Sequence, residues 1–328
     1  MSTRKLAVGA SIVAALLGGA LAWRAGAASA AAPNPAAAEH AAHAADQHAA
    51  QATDEHSAHA AAEQAAPAAS GAVPLQEPGL PPGAEGANAR IANSPRHGEW
   101  AMVKVGSDSI RVWVVYPERS DKAPVVLVVH EIFGLSNWVR AVADQLAADG
   151  FIAIAPDLLT MKNPPLAADG EVDATVARTL IREITTPDVN RWLSGVAEWG
   201  MKLPAAQPKY GIVGYCWGGS TSFAHAVAAP GLSASVVYYG SSPATEALPA
   251  IRAPVLGLYG GNDARVNATI PAADSAMKAM GKTYEHHIFE GAGHGFLRQQ
   301  DGQNGANMEA TRKAWPLTVQ WFRKYLEG

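Results

Sequence analysis

The sequence predicts an α/β fold with a mostly parallel central sheet flanked by helices, preceded by a disordered N-terminal segment. Two observations carry that expectation. From residue 125 onward, short β-branched apolar runs alternate with stretches of helical periodicity, the pattern of a parallel sheet whose crossovers are helices. Before that region the composition is different: of all Trp, Tyr and Phe residues, only Trp23 precedes Trp100. A stretch without large side chains cannot bury enough apolar area to offset chain entropy. Residues 97–328 are therefore expected to form one domain, large enough to fold without a disulfide or metal staple.

The elements follow in order. Arg4 and Lys5 precede an uncharged run from Leu6 to Trp23, and Ala28-Ser29-Ala30 follows. A positive start, an apolar middle and a small-residue end read as a secretory signal over residues 1–30. The rival is an uncleaved anchor, since the run reaches the lower edge of a membrane span. Export implies a periplasmic protein. Residues 31–96 read as an Ala/His/Pro-rich low-complexity linker. It holds His40, His43, His48, His56 and His59, which could bind a metal or simply interrupt an Ala-rich tether. Pro74, Pro78, Pro81 and Pro82, with Gly83, break any helix there.

Met102–Val105 and Arg111–Tyr116 are β-rich and flank the turn-like Gly106-Ser107-Asp108, so a hairpin is expected. Strands are expected at Val125–Val129, Phe151–Ala155, Gly211–Gly214, Ala234–Tyr239, Val255–Tyr259 and Tyr284–Phe289. Helices are expected at Asn137–Ala148, Val189–Leu203, Trp217–Ala229, Pro271–Met280 and Met308–Leu326. Trp315 and Trp321 on the last helix could pack on the core or on a partner; core packing, as in a monomer, is the expectation. The net charge of −4 argues against a nucleic-acid binder. The single cysteine, Cys216, excludes an intrachain disulfide.

Active sites of such sheets sit at the carboxyl ends of strands. One strand ends at Gly214-Tyr215-Cys216-Trp217-Gly218-Gly219. This is a G-x-nucleophile-x-G elbow with Cys for Ser, opening a helix whose N-terminus favours thiolate; the alternative is a small core Cys among glycines. A second strand ends at Gly260-Gly261-Asn262-Asp263, where Asp263 can orient a histidine or merely form a turn. A third ends at Gly291-Ala292-Gly293-His294-Gly295-Phe296, where glycines let His294 project. His286 and His287 lie inside a strand and are poorer candidates. The order Cys216, Asp263, His294 is that of α/β-hydrolase triads, so an α/β-hydrolase fold is expected. A fourth strand ends at His130-Glu131-Ile132-Phe133-Gly134-Leu135. In this fold that loop supplies an oxyanion donor, and Glu131 is an unexpected neighbour for one.

These segments, with Ala155-Pro156-Asp157-Leu158, together resemble the dienelactone hydrolase (carboxymethylenebutenolidase) family over about residues 98–328. The resemblance implies a Cys216–His294–Asp263 triad and oxyanion donors at the backbone N–H groups of Ile132 and Trp217. It implies that Glu131 meets the thiol and helps form the thiolate once substrate binds. The family holds a substrate carboxylate with arginines. Arg298, four residues after the histidine, matches one. At the other position this chain has Met161 followed by Lys162, so Lys162 is the candidate there for binding substrate, although lysine cannot make the bidentate fork. Arg178 and Arg182, in the long stretch Thr160–Pro187, are possible replacements.

The function expected is hydrolysis of an ester or lactone through a thioester acyl-enzyme, with a small-molecule substrate and no metal or organic cofactor. A general carboxylesterase or thioesterase on the same triad is the alternative within enzymes. An envelope metal-binding protein acting through the His-rich tail is the alternative outside them.

Overall fold

The computed structural model describes residues 77–328. The expected signal over residues 1–30 and the His-rich part of the linker lie outside the described residues. Helix α1 (Ala87–Ala92) precedes the hairpin β1 (Gly98–Val105) and β2 (Asp108–Val115). Then come β3 (Ala123–Val129), α2 (Asn137–Ala148), β4 (Ile152–Pro156), α3 (Ala174–Ile181) and α4 (Thr186–Gly200). They are followed by β5 (Ala206–Tyr215), α5 (Trp217–Ala228), β6 (Ala234–Tyr238) and β7 (Val255–Gly260). The remainder is α6 (Ala264–Asn267), α7 (Ile270–Ala279), β8 (Tyr284–Phe289) and α8 (Ala306–Phe322).

The strands form one 8-stranded sheet in the order β1-β2-β4-β3-β5-β6-β7-β8. The β1–β2 and β2–β4 pairs are antiparallel, and every pair from β4 to β8 is parallel. The sheet is thus mostly parallel, as the alternating pattern requires. Chain order reverses between β4 and β5 around β3, and this puts the ends of β3 and β5 side by side, Val129 opposite Gly214. Ligands bind at such reversals.

Every residue of β3 is buried, so alternation of side chains feeds two cores. Val125, Leu127 and Val129 join Val189, Leu193 and Val196 of α4, Phe223 of α5 and Met277 of α7. The opposite face is covered by α2 and α8, where Phe151 meets Phe322 edge-on and the Trp315 indole donates to Asp149 at 2.9 Å. Full burial of each Val, Leu or Phe stabilises by ~1.5–3 kcal/mol. These two layers fix the strand ends from which the site is built. Trp321 is also buried in this layer. No described helix is long and apolar enough to cross a membrane.

The stretch Thr160–Pro187 is more ordered than its composition suggests. A 3-10 turn (Thr160–Lys162) and a bridge between Leu166 and Val172 lead into α3, which Asp173 caps by accepting from the Thr175 and Val176 N–H groups. Helix α3 is short and buries only Ala177 and Ile181, too few positions to show a period. Helix α4 begins at Thr186 rather than Val189, because Thr185 caps it and Pro187 occupies its first turn.

Residues 77–96 also depart from the linker expectation: they pack on the domain. Leu80 and Ala87 are buried. The Trp138 indole donates to the Pro82 carbonyl at 3.1 Å. Asp144 on α2, itself buried, accepts from Ser94 and Arg90 and takes both Arg96 Nε (3.0 Å) and Arg96 Nη2 (2.8 Å). Ion pairs and hydrogen bonds, with two small or medium apolar side chains and no aromatic one, dock this segment, so a boundary drawn from aromatic residues falls too late.

Burial alone would raise the Asp144 carboxyl, but its bonds to Arg96, Ser94 and Arg90 hold it below the ordinary carboxylate value. Its contribution is therefore present above an unfolded pKa of ~3.9 and lost as pH falls through the folded value. Asp144→Ala strands two arginines and should cost about 3 kcal/mol, read as a lower urea midpoint at pH 7. The gap to wild type should close in acid.

Candidate active site

Cys216 stands between β5 and α5 with φ 56° and ψ −117°, a region an L-residue rarely adopts. The local sequence makes this possible. A Cβ on Gly214 would lie 1.8 Å from the Gly218 carbonyl oxygen, and one on Gly218 would lie 2.4 Å from the carbonyl oxygens of Val129 and His130. Only glycine permits the strand and helix to approach this closely. The Cys216 N–H donates to the Tyr238 carbonyl at 3.1 Å, and its own carbonyl accepts from Ser220 at 3.1 Å. Cys216 is buried, at 7% exposure.

The three residues expected to act together are brought together. His294 Nδ1 lies 2.5 Å from Asp263 Oδ2, and its ring is also hydrogen-bonded to Cys216. Asp263 follows β7 and caps α6, accepting from Val266 N–H with its other oxygen at 3.4 Å. The His294 loop is fixed from both sides: the Gly293 N–H donates to Asn307 Oδ1, and the Asn262 N–H to the Ala292 carbonyl, each at 2.9 Å. Burial disfavours a charged His294 ring, but the charge on Cys216 and its hydrogen bonds with Asp263 and Cys216 outweigh this. The imidazole is held well above its ordinary value. Burial likewise raises Asp263, and its bond to His294 overcomes it, leaving the carboxyl below its ordinary range.

The loop after β3 supplies the next layer. Glu131 is buried at 2% exposure and forms an ion pair with Arg298, Nε–Oε2 3.0 Å. The N–H groups of Ile132 and of Trp217, the first residue of α5, have no acceptor among the described residues. Phe133, half-buried, meets two guanidinium groups: Arg298 Cζ is 5.0 Å from its ring centre and Arg178 Cζ is 5.2 Å. Nε and Nη2 of Arg178 are buried and unpartnered. Lys162 instead pairs with Glu183, Nζ–Oε2 2.9 Å, and with none of the Cys216, His294 or Asp263 side chains. A small cavity beside Trp217 is lined by Ile184 and Thr186 of the Thr160–Pro187 stretch, with Val189, Asn190 and Ser220. Among the described residues no group of His, Cys, Asp and Glu is placed to hold a metal.

Two residues enter the site without having been singled out. Tyr239 reads as the last residue of a strand, but β6 ends at Tyr238 and Tyr239 takes φ 40°. Its ring centre lies 5.1 Å from that of His294, and its hydroxyl is buried and unpartnered. Burial first, then the charge of Glu131, keeps the phenol protonated well past its usual range. His130, seen only as part of a motif, is fully buried with both ring nitrogens bonded to backbone. A Tyr pair at a strand end, and a His where an apolar residue would suit a buried position, were the available signals.

The dienelactone hydrolase family model matches residues 110–326. A "Putative carboxymethylenebutenolidase" of Salmonella typhimurium is 30% identical over 230 residues, 66% of this chain and 84% of the relative. One of the same name from Escherichia coli is 27% identical over 265 residues, 76% of this chain and 96% of the relative. The crystal structure of a "Putative Dienelactone Hydrolase" from Klebsiella pneumoniae superposes with a TM-score of 0.63 at 27% identity, covering 70% of this chain and 99% of that one.

The His294 ring should remain an imidazolium through neutral pH in an NMR titration. Cys216→Ala removes a negative neighbour and should lower the titration midpoint, and Asp263→Asn should lower it as well. An unmoved midpoint in both variants would contradict the electrostatic reading.

Proposed function

The chain belongs to the dienelactone hydrolase family, and from that premise we propose that it hydrolyses a carboxylic ester or lactone bearing an anionic group, through a thioester on Cys216. The observation that carries this reading is the line from Cys216 through His294 to Asp263, with two unaccepted N–H groups at the adjoining strand and helix ends. Asp263 holds Nδ1, which leaves Nε2 of His294 for the thiol proton. The thiolate adds to the carbonyl carbon, and the oxygen takes the negative charge between the Ile132 and Trp217 N–H groups. Collapse breaks the C–O bond, and His294 returns the proton to the leaving alkoxide or enolate. In a lactone that group stays tethered to the acyl chain. His294 then takes a proton from water as the water attacks the thioester, and the thiol is released.

Charge supports this choice of substrate class. Arg298 is engaged by Glu131, so a substrate anion at Arg298 competes with that carboxylate. Displacement of Glu131 from the pair frees the Arg298 guanidinium for the substrate anion. Arg178, which meets the same Phe133 ring, supplies the second cation. It fills the role for which Lys162, committed to Glu183, is poorly placed. The signal-like first thirty residues support action outside the cytosol, in the periplasm.

Cys216→Ala, or one equivalent of alkylating reagent on the thiol, should lower ester hydrolysis at least ~10³-fold. In a panel of cis- and trans-dienelactones against neutral short-chain esters, Arg178→Ala should raise KM for the anionic substrates ~10–100-fold and leave neutral esters within ~2-fold. Equal losses on both classes would remove the anion-binding assignment.

A further inference from the structure

We propose that His130 is a positioning residue that aims the Ile132 N–H at the carbonyl under attack, by clamping the peptide unit that carries it. The proposal rests on the reading of Ile132 as an oxyanion donor. His130 ends the buried run of β3 and takes no part in the steps above. Its Nδ1 lies 2.7 Å from the Glu131 carbonyl oxygen, and its Nε2 lies 3.2 Å from the Leu158 backbone nitrogen. A backbone N–H can only donate, so Nε2 presents its lone pair. A carbonyl can only accept, so Nδ1 carries the proton. The two partners together select one neutral tautomer. An imidazolium would turn a second N–H against the Leu158 N–H.

The consequence follows from peptide geometry. The Glu131 carbonyl and the Ile132 N–H belong to the same planar trans unit, in which the two bonds point in opposite directions. The His130 Nδ1–H and the Gly134 N–H, at 3.3 Å, both hold the carbonyl. The Ile132 N–H is thereby turned the other way, and it has no acceptor of its own. The same ring stacks on Trp217, centres 5.7 Å apart and planes 19° from parallel, and Trp217 carries the second donor. Through Leu158 the ring also reaches the end of β4. One side chain therefore registers three strand-end segments against each other. Oxyanion donors act only within a few tenths of an ångström of their working distance, so this registration affects rate far more than binding.

The test uses the full-length chain, with His130→Leu, which removes both bonds, and His130→Gln, whose amide can donate to the Glu131 carbonyl and accept from Leu158. On a short neutral ester, His130→Leu should lower kcat ~10–100-fold with KM within ~2-fold. His130→Gln should recover to within ~5-fold of wild type. A trifluoromethyl ketone, which adds to the thiol and generates the oxyanion, should lose affinity for His130→Leu by about the same factor as kcat. In wild-type protein with 15N-labelled histidine, NMR should show the neutral Nδ1–H tautomer of His130 at pH 6 to 8. An Nε2–H tautomer, a His130→Leu variant with unchanged kcat, or a Gln variant no better than Leu would each overturn the proposal. Where His130→Leu fails to fold by circular dichroism, the Gln variant and the tautomer decide. Wild-type protein without esterase activity, or a fully active Cys216→Ala variant, would instead strike the cysteine mechanism, while the tautomer would still report on the clamp.

Discussion

Cys216 holds a backbone conformation that costs an L-residue about 1–3 kcal/mol, and the rest of the site is arranged around it. The turn closes only because Gly214 and Gly218 leave no Cβ in the contact between strand and helix. It is held from the next strand by the Tyr238 carbonyl. Tyr239, one residue further along that neighbour, is itself at positive φ. Two adjoining strand ends thus carry strain at the same level of the sheet. A buried parallel sheet covered on both faces can hold that strain, because relaxing either turn would shift strands whose residues are packed without free space.

The charges around the thiol are distributed unevenly, and the unevenness has a direction. Asp263 is matched by His294, and Glu131 by Arg298. A buried ion pair contributes little net stability when compared with apolar packing, so the Glu131–Arg298 pair is better understood as an exchangeable contact than as a staple. Arg178 adds a guanidinium whose contact in the structure is the face of Phe133. Two guanidinium groups, of Arg298 and Arg178, thus meet the same Phe133 ring. The Tyr239 hydroxyl, buried and facing no acceptor, adds a neutral donor to the same surroundings.

Much of this was legible in the chain itself, for physical reasons. Strands buried on both faces must be apolar throughout, so Val125–Val129 and Val255–Tyr259 stand out. Residues at their ends are released from that demand, which makes Glu131, Cys216, Asp263 and His294 visible. The same logic hides other parts. Helix α3 buries two side chains and leaves no period to detect. The segment around Arg90 and Arg96 docks through ion pairs to Asp144, a contact distant in sequence that local composition cannot report. Arg178 was one of two candidates, with Arg182, because no local pattern tells which arginine of a short helix turns toward Phe133. His130 was visible as a letter in a motif, but its role depends on Leu158, which lies on another strand end.

The docking of residues 81–84 bears on how the domain is handled at the bench. The Ala84 N–H donates to the Arg298 carbonyl at 2.8 Å, and the Pro81 carbonyl accepts from the Gln300 amide at 2.9 Å. The wall of the cleft that carries Arg298 is thus fastened to a stretch that composition alone would discard. A fragment trimmed to begin at residue 97 would keep every strand and still lose those fastenings. Kinetic constants measured on such a fragment would describe a cleft with one wall untied, and low turnover of an anionic ester would then be an artefact of where the gene was cut.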